Sequence, residues 1–396
     1  MKLTNETLLK LHDIEIRKDN KNYIVENLLT KEFYEMPLVC IDALVLIQRE
    51  LSLGAVEERL IKSYPNEEID LVDFGEHLLE LNLVQSVDGR KITQKLEQDR
   101  KLGFEWIPAW LGKLFFNKYT NYLYSILLIV NIGVFYFYPE LFPHYMDLFV
   151  FDILSFNILV LGAFSLVLVL IHEFGHIFAI RSFDLPTRLD IGHRLYFIVF
   201  ETDLSLAWKI PARQRNILYL AGVCFDNVIL FLALMLQIFA PIQSNIMSGL
   251  IGLVVFDVII RIIFQACIYM KTDFYYLFEN MTGAYNLMEN SIHAIKSLFF
   301  QSKLKNKELF HGEENIVKSY SVFYIIGVGI TLILFFIYYL PQLLFMIINI
   351  IPGFGKPITD PFFWDAALFS TQLAVLIGLL IYSFVQSYYG KIDKNC

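Results

Sequence analysis

The chain has 396 residues, 56% of them hydrophobic and 16% aromatic, with a mean hydropathy of +0.52; this excludes an ordinary soluble globule and implies several membrane spans. A formal net charge of −8 supplies no basic surface for phosphates, so nucleic acid is excluded as a partner. The four cysteines, Cys40, Cys224, Cys267 and Cys396, include no CxxC pair, which argues against a disulfide framework.

Residues 1–100 are acidic and read as a small α+β domain of winged-helix type. Three alternating stretches, Asp13–Arg17, Lys21–Val25 and Lys31–Glu35, predict strands. Helical patterns follow near 38–50, 54–64 and 68–83, and Leu83–Ile92 reads as a hairpin turning at Asp88-Gly89. Residues 101–119 read as a linker or interfacial segment. No apolar stretch of membrane length occurs before residue 120, so no cleavable signal peptide is expected and the N-terminus is placed in the cytoplasm.

Residues 120–390 read as a polytopic membrane helical bundle, giving a mostly α fold. Apolar runs of about 20 residues, enough to cross roughly 30 Å of hydrocarbon, occur near 120–138, 152–180, 216–240, 246–270, 319–340 and 364–387. The stretch 341–353 carries Pro341 and Pro352 and reads as re-entrant or interfacial. Arg181, Arg188, Arg194, Lys209, Arg213 and Arg215 follow the second span. Lys271, Lys296, Lys303, Lys305, Lys307 and Lys318 follow the fourth. These loops are expected in the cytoplasm, together with both termini, which carry Lys101, Lys113 and Lys118 at one end and Lys391 and Lys394 at the other. The loops 139–147 and 241–245 have neither Lys nor Arg. The reading is a multi-pass protein of the cell membrane.

The second span ends His172-Glu173-Phe174-Gly175-His176. Spacing of i, i+4 on a helix puts both imidazoles on one face, within reach of one tetrahedral Zn2+. Glu173, beside the first ligand, suits the general acid–base role in hydrolysis. The alternative is a purely structural histidine pair, but ionisable groups at membrane depth cost about 2.5 kcal/mol or more and usually mark function. A catalytic zinc needs a third protein ligand. Asp273, just beyond the fourth span, suits either that role or the cap of the following helix; two nearby histidines favour the ligand. Asp257 and Arg261, four apart in the fourth span, read as an internal ion pair. Arg261 lies about 18 Å from Asp273 along an unbroken helix, too far to touch the zinc.

These residues resemble the site-2 protease family of membrane-embedded zinc metalloproteases, over roughly residues 150–290. The features are His172-Glu173-Phe174-Gly175-His176, Ala221-Gly222 with a polar residue following inside a span, and Thr272-Asp273. Asp203-Leu204-Ser205-Leu206-Ala207-Trp208, followed by Arg213 and Arg215, is similar to the bacterial peptide-processing branch. The chain departs from the family at Phe274, where a Gly usually follows the ligand Asp, at Val223, where a Pro is usual, and in lacking the Asn-Pro pair ahead of Asp273. The resemblance implies a three-span core in which His172, His176 and Asp273 hold zinc, Glu173 is catalytic, and the substrate enters from the membrane or its cytoplasmic edge. Asp226 and Asn227 fall where the family keeps a polar residue near the reacting carbonyl, suiting them to orient substrate or to bond a neighbouring helix.

The order of elements across 11–93 is similar to the RiPP recognition element, the winged-helix module that holds the leader of a ribosomally made peptide as an added strand. Tyr23, Phe33 and Tyr34 suit either its groove or its core. The expected function is a zinc endopeptidase cleaving a peptide precursor or short membrane peptide, with membrane lipid around it and a peptide exporter as partner. The β-rich run Tyr196–Phe200 suits an edge that takes the unwound substrate, or a segment resting on the membrane. Two other readings stay open: a peptide-binding or export partner without proteolysis, and a signalling protease acting on a membrane anti-sigma factor.

Overall fold

The computed structural model describes residues 2–92, 103–151, 153–194, 197–240, 244–300 and 312–395. Readings that rest on Lys101, Tyr196, Lys303, Lys305, Lys307, Cys396 or the loop at 241–243 lie outside these residues. The chain divides into two compact units. One holds the residues up to Ile92 with the short segment Trp208–Ala212, and the other holds the remainder.

The N-terminal unit is built from β1 (Leu9–Leu11), β2 (Ile14–Asp19), β3 (Asn22–Asn27), β4 (Phe33–Met36), α1 (Leu38–Ile47), α2 (Leu53–Ser63), α3 (Leu71–Glu80), β5 (Val84–Val87) and β6 (Arg90–Lys91). Antiparallel β2, β3 and β4 pair in the register Ile16↔Val25↔Tyr34. Alternation then puts Ile14, Ile16, Tyr23, Val25 and Tyr34 against the helices. Val25, Leu44, Ile47, Leu53, Val56, Leu78 and Val84 form a buried core. Tyr23 and Tyr34 therefore pack in the core, Tyr34 donating to the Leu81 carbonyl at 2.8 Å, whereas Phe33 points to the opposite face of the sheet.

At the end of this unit Asp88 and Gly89 take φ of +47° and +77°, the two left-handed positions a type I′ turn requires between β5 and β6. The sequence reading omits β1, a three-residue strand that pairs with β5 to make the second sheet. Three residues are too few for a periodicity to register.

The second unit is helical. Among the described residues six helices are long and apolar enough to cross a membrane: Ala109–Phe137, Phe156–Arg181, Ala212–Phe239, Asn245–Gln265, Glu314–Gly355 and Pro361–Val385. The protein is a multi-pass membrane protein, mostly α. Large apolar side chains such as Ile129, Ile132, Ile337 and Val385 stay exposed, as lipid-facing surfaces demand.

The first of these spans comprises α4 (Ala109–Phe115) and α5 (Lys118–Phe137), separated by Asn117, whose side chain forms a capping box with Thr120. The others are α6 (Leu154–Arg181), α7 (Ala212–Phe239), α8 (Asn245–Gln265), α11 (Glu314–Leu334) with α12 (Leu340–Ile350), and α13 (Pro361–Asn395). Between α6 and α7 lies an antiparallel hairpin of β7 (Leu189–Arg194) and β8 (Phe197–Thr202). Two shorter helices, α9 (Asp273–Thr282) and α10 (Leu287–Phe300), follow α8. Half of the apolar window of α7 is buried, against 22% or less in the other spans, so α7 is the centre of the bundle.

Two sequence readings change here. Residues 341–353 do not form a separate re-entrant element. A π-helical stretch, Phe335–Tyr339, joins α11 to α12 without a break, and Pro341, which has no N–H to donate, follows directly on that wider turn. At about 1.5 Å per residue this helix is roughly 60 Å long, twice the hydrocarbon thickness. The fourth span also ends earlier than read. Helix α8 stops at Gln265, and Lys271, at φ +54°, turns the chain before α9.

Candidate metal centre

The break after α8 brings Asp273 back beside α6. Its Oδ2 lies 3.1 Å from His172 Nε2 and 3.2 Å from His176 Nε2, and the two Nε2 atoms are 3.4 Å apart. Three donors at about 2.0–2.1 Å from a tetrahedral zinc are separated by about 3.3 Å, so this near-equilateral triangle has the dimensions of one face of a zinc site. Glu173 also comes within 4.8 Å of both imidazoles, but Asp273 is closer to each. Asp273 Oδ2 is thus the carboxylate oxygen nearest to both ring nitrogens, with Glu173 beside it.

The outward ring nitrogens fix the tautomers. His176 Nδ1 is 2.8 Å from the Leu218 carbonyl, which only accepts, so Nδ1 carries a proton and Nε2 is the nitrogen that faces Asp273. His172 Nδ1 is 2.7 Å from Asp226 Oδ2 in the same manner. Two imidazole nitrogens and a carboxylate oxygen thus converge on one point, where neutral rings would turn their lone pairs to a cation. A backbone carbonyl and a carboxylate behind ligating histidines are the usual orienting partners of a metal site. The donor set fits zinc.

Close packing of α6 on α7 makes the arrangement possible. A Cβ on Gly175 would stand 2.5 Å from the Ala221 carbonyl oxygen, and one on Gly222 would stand 2.3 Å from His172 Nε2. Glycine on each helix lets the backbones touch and leaves the imidazole room. His172, Glu173 and His176 are all buried. Thr202, the last residue of β8, donates to Glu173 Oε2 at 2.7 Å, which leaves Oε1 as the oxygen without a hydrogen bond among the described residues.

Asp226 and Asn227 are buried inside the bundle. Asp226 accepts from Arg261 Nη1 at 3.3 Å through the oxygen not facing His172. Asn227 accepts from Asn131 at 2.7 Å and donates to the Tyr124 carbonyl at 3.0 Å, tying α7 to α5. Sequence reasoning missed Gln265 and Thr202. Gln265 Oε1 accepts the Asp273 backbone N–H at 2.9 Å, and the Gln265 carbonyl accepts from Thr272 at 2.7 Å. A lone amide at the end of an apolar span, eight residues before the ligand, was the available signal. Thr202 carried none, because its role depends on the path of the hairpin.

No family model, curated protein or solved structure matches the chain.

Proposed function

We propose that the chain is a membrane-embedded zinc endopeptidase of the site-2-protease type, with His172, His176 and Asp273 as ligands and Glu173 as the acid–base residue. The observation that carries this reading is the triangle of Nε2, Nε2 and Oδ2 atoms, 3.1 to 3.4 Å on a side, with both imidazoles oriented from behind. Zinc in such a site acts as a Lewis acid and lowers the pKa of water to about 7.

The protein's own groups supply the rest. Glu173 accepts the proton of the attacking water at Oε1, while Thr202 holds Oε2 and so fixes the plane of the carboxylate. The same oxygen then delivers the proton to the leaving amine nitrogen. Among the described residues strand β8 has only β7 as a sheet partner, and its outer edge is suited to hold an unwound peptide by main-chain hydrogen bonds beside Glu173. The substrate class we favour is a ribosomally made, modified peptide precursor, because the N-terminal unit has the strand, helix and hairpin order of a leader-binding module. In this reading the loops rich in Lys and Arg and both termini face the cytoplasm, and an exporter takes the product.

The test is zinc content together with cleavage. Purified wild type should hold about one zinc per chain, which His172→Ala and Asp273→Ala lose. Glu173→Gln should keep the metal and lose about 10²–10⁴-fold in turnover. A wild type that carries no zinc after gentle purification would overturn the proposal and leave a binding or export partner in its place.

A further inference from the structure

We infer that Arg261 is a positioning residue of the metal centre: its guanidinium bridges Asp257 to Asp226 and thereby aims Asp226 at His172. The inference rests on the reading of His172, His176 and Asp273 as a zinc tripod. Asp226 and Asp257 lie in the middle of spans and Arg261 about one turn from the end of its span, where charged side chains are costly and seldom kept without a task. The polar chain is continuous. Ser165 on α6 donates to Asp257 Oδ1, Arg261 Nη2 donates to Asp257 Oδ2, Arg261 Nη1 donates to Asp226 Oδ1 at 3.3 Å, and Asp226 Oδ2 meets His172 Nδ1 at 2.7 Å.

Each carboxylate oxygen of Asp226 and Asp257 has a partner, drawn from α6 or α8. An i, i+4 pair that served α8 alone would need only Asp257 and Arg261. The second arm of the guanidinium instead reaches across to α7 and fixes the carboxylate that sets the His172 ring. A planar fork is needed for this, since two oxygens on different helices must be held at once. Lysine offers a point charge, which neutralises Asp257 without setting the angle of Asp226.

The experiment measures Zn2+ affinity by competition with a chromophoric chelator, using full-length protein in detergent. The variants are Arg261→Lys, Asp226→Asn and the double substitution; the d–d absorption of Co2+ reports the coordination geometry. Asp226→Asn should weaken zinc about tenfold or more, as loss of an orienting partner does. Arg261→Lys should weaken it by about tenfold and alter the Co2+ spectrum. In the Asp226→Asn background Arg261→Lys should cost nothing further, because its only route to the metal is gone. Asp257→Asn, a nearly isosteric change, reads the same chain if Arg261→Lys does not accumulate as folded protein. It should weaken zinc less, and again only while Asp226 is present.

Wild-type zinc binding with unchanged affinity in Arg261→Lys and Asp257→Asn would overturn the inference and leave the metal centre standing. Additive losses in the double variant would overturn it as well, by showing that Arg261 acts elsewhere than through Asp226. A wild type without zinc would remove the centre and the inference together.

Discussion

The space around His172 is set by a missing methyl group. A Cβ on Gly222 would overlap the imidazole at 2.3 Å, and the neighbouring Ala221 carbonyl packs directly on Gly175 of α6. Gly222→Ala should therefore rotate or displace His172 and abolish stoichiometric zinc binding, with a stability loss of about 1–3 kcal/mol from overpacking. Elemental analysis beside thermal unfolding checks this, and full zinc content in the variant would show that the helices part more easily than the contact allows. Thr202 offers a milder change. Its hydroxyl orients Glu173 without touching the ligands, and a hydrogen bond to a carboxylate contributes about 1.5–3 kcal/mol. Thr202→Val should keep zinc and lower kcat by roughly ten- to a hundredfold with little change in KM. Steady-state kinetics on a cleavable peptide decides, and a rise in KM alone would assign Thr202 to substrate binding instead.

Between α9 and α10 the chain reverses at Gly283, whose φ of +67° is the left-handed cap that ends α9. The turn is locked by a buried carboxylate: Glu279 accepts from the Tyr275 hydroxyl at 2.5 Å and from the Leu287 N–H at 2.8 Å. Burial pushes Glu279 up to about 7, against the opposing pull of those two hydrogen bonds. A carboxyl whose folded pKa is raised binds its proton more tightly folded than unfolded. Its contribution is therefore most favourable below the unfolded value near 4.5 and falls as pH rises towards 7, then stays level. Unfolding temperature should drop across this window in the wild type and be flatter in Glu279→Gln, which keeps the shape and cannot ionise. An equal slope in both would assign the pH dependence to other groups. Nothing in the sequence marks Glu279 as buried, because its burial comes from α11 packing over the turn through Val317 and Tyr320.

For the molecule as a whole, the legible parts were those with a period or a spacing. Runs of about 20 apolar residues located the spans, alternation located β2 to β4, and Asp88-Gly89 located the β5–β6 turn. His172-Glu173-Phe174-Gly175-His176 placed the two imidazoles on one face because the i, i+4 geometry is local. Arg261 could be tied to Asp257 on its own helix but not to Asp226, since contact between α7 and α8 has no local signature. Thr202 was hidden for the same reason. The division into two units, each with its own core, has a consequence for unfolding. Independent cores unfold in separate transitions, and a metal stabilises only the unit that holds it. Zinc at a hundred times its Kd adds about 2.7 kcal/mol to that unit. Calorimetry in detergent should then show two transitions, with a chelator lowering the transition of the membrane unit and leaving that of the N-terminal unit in place. A single transition that moves as one on chelation would mean that the units are energetically coupled and that stability at the metal centre reaches the N-terminal unit.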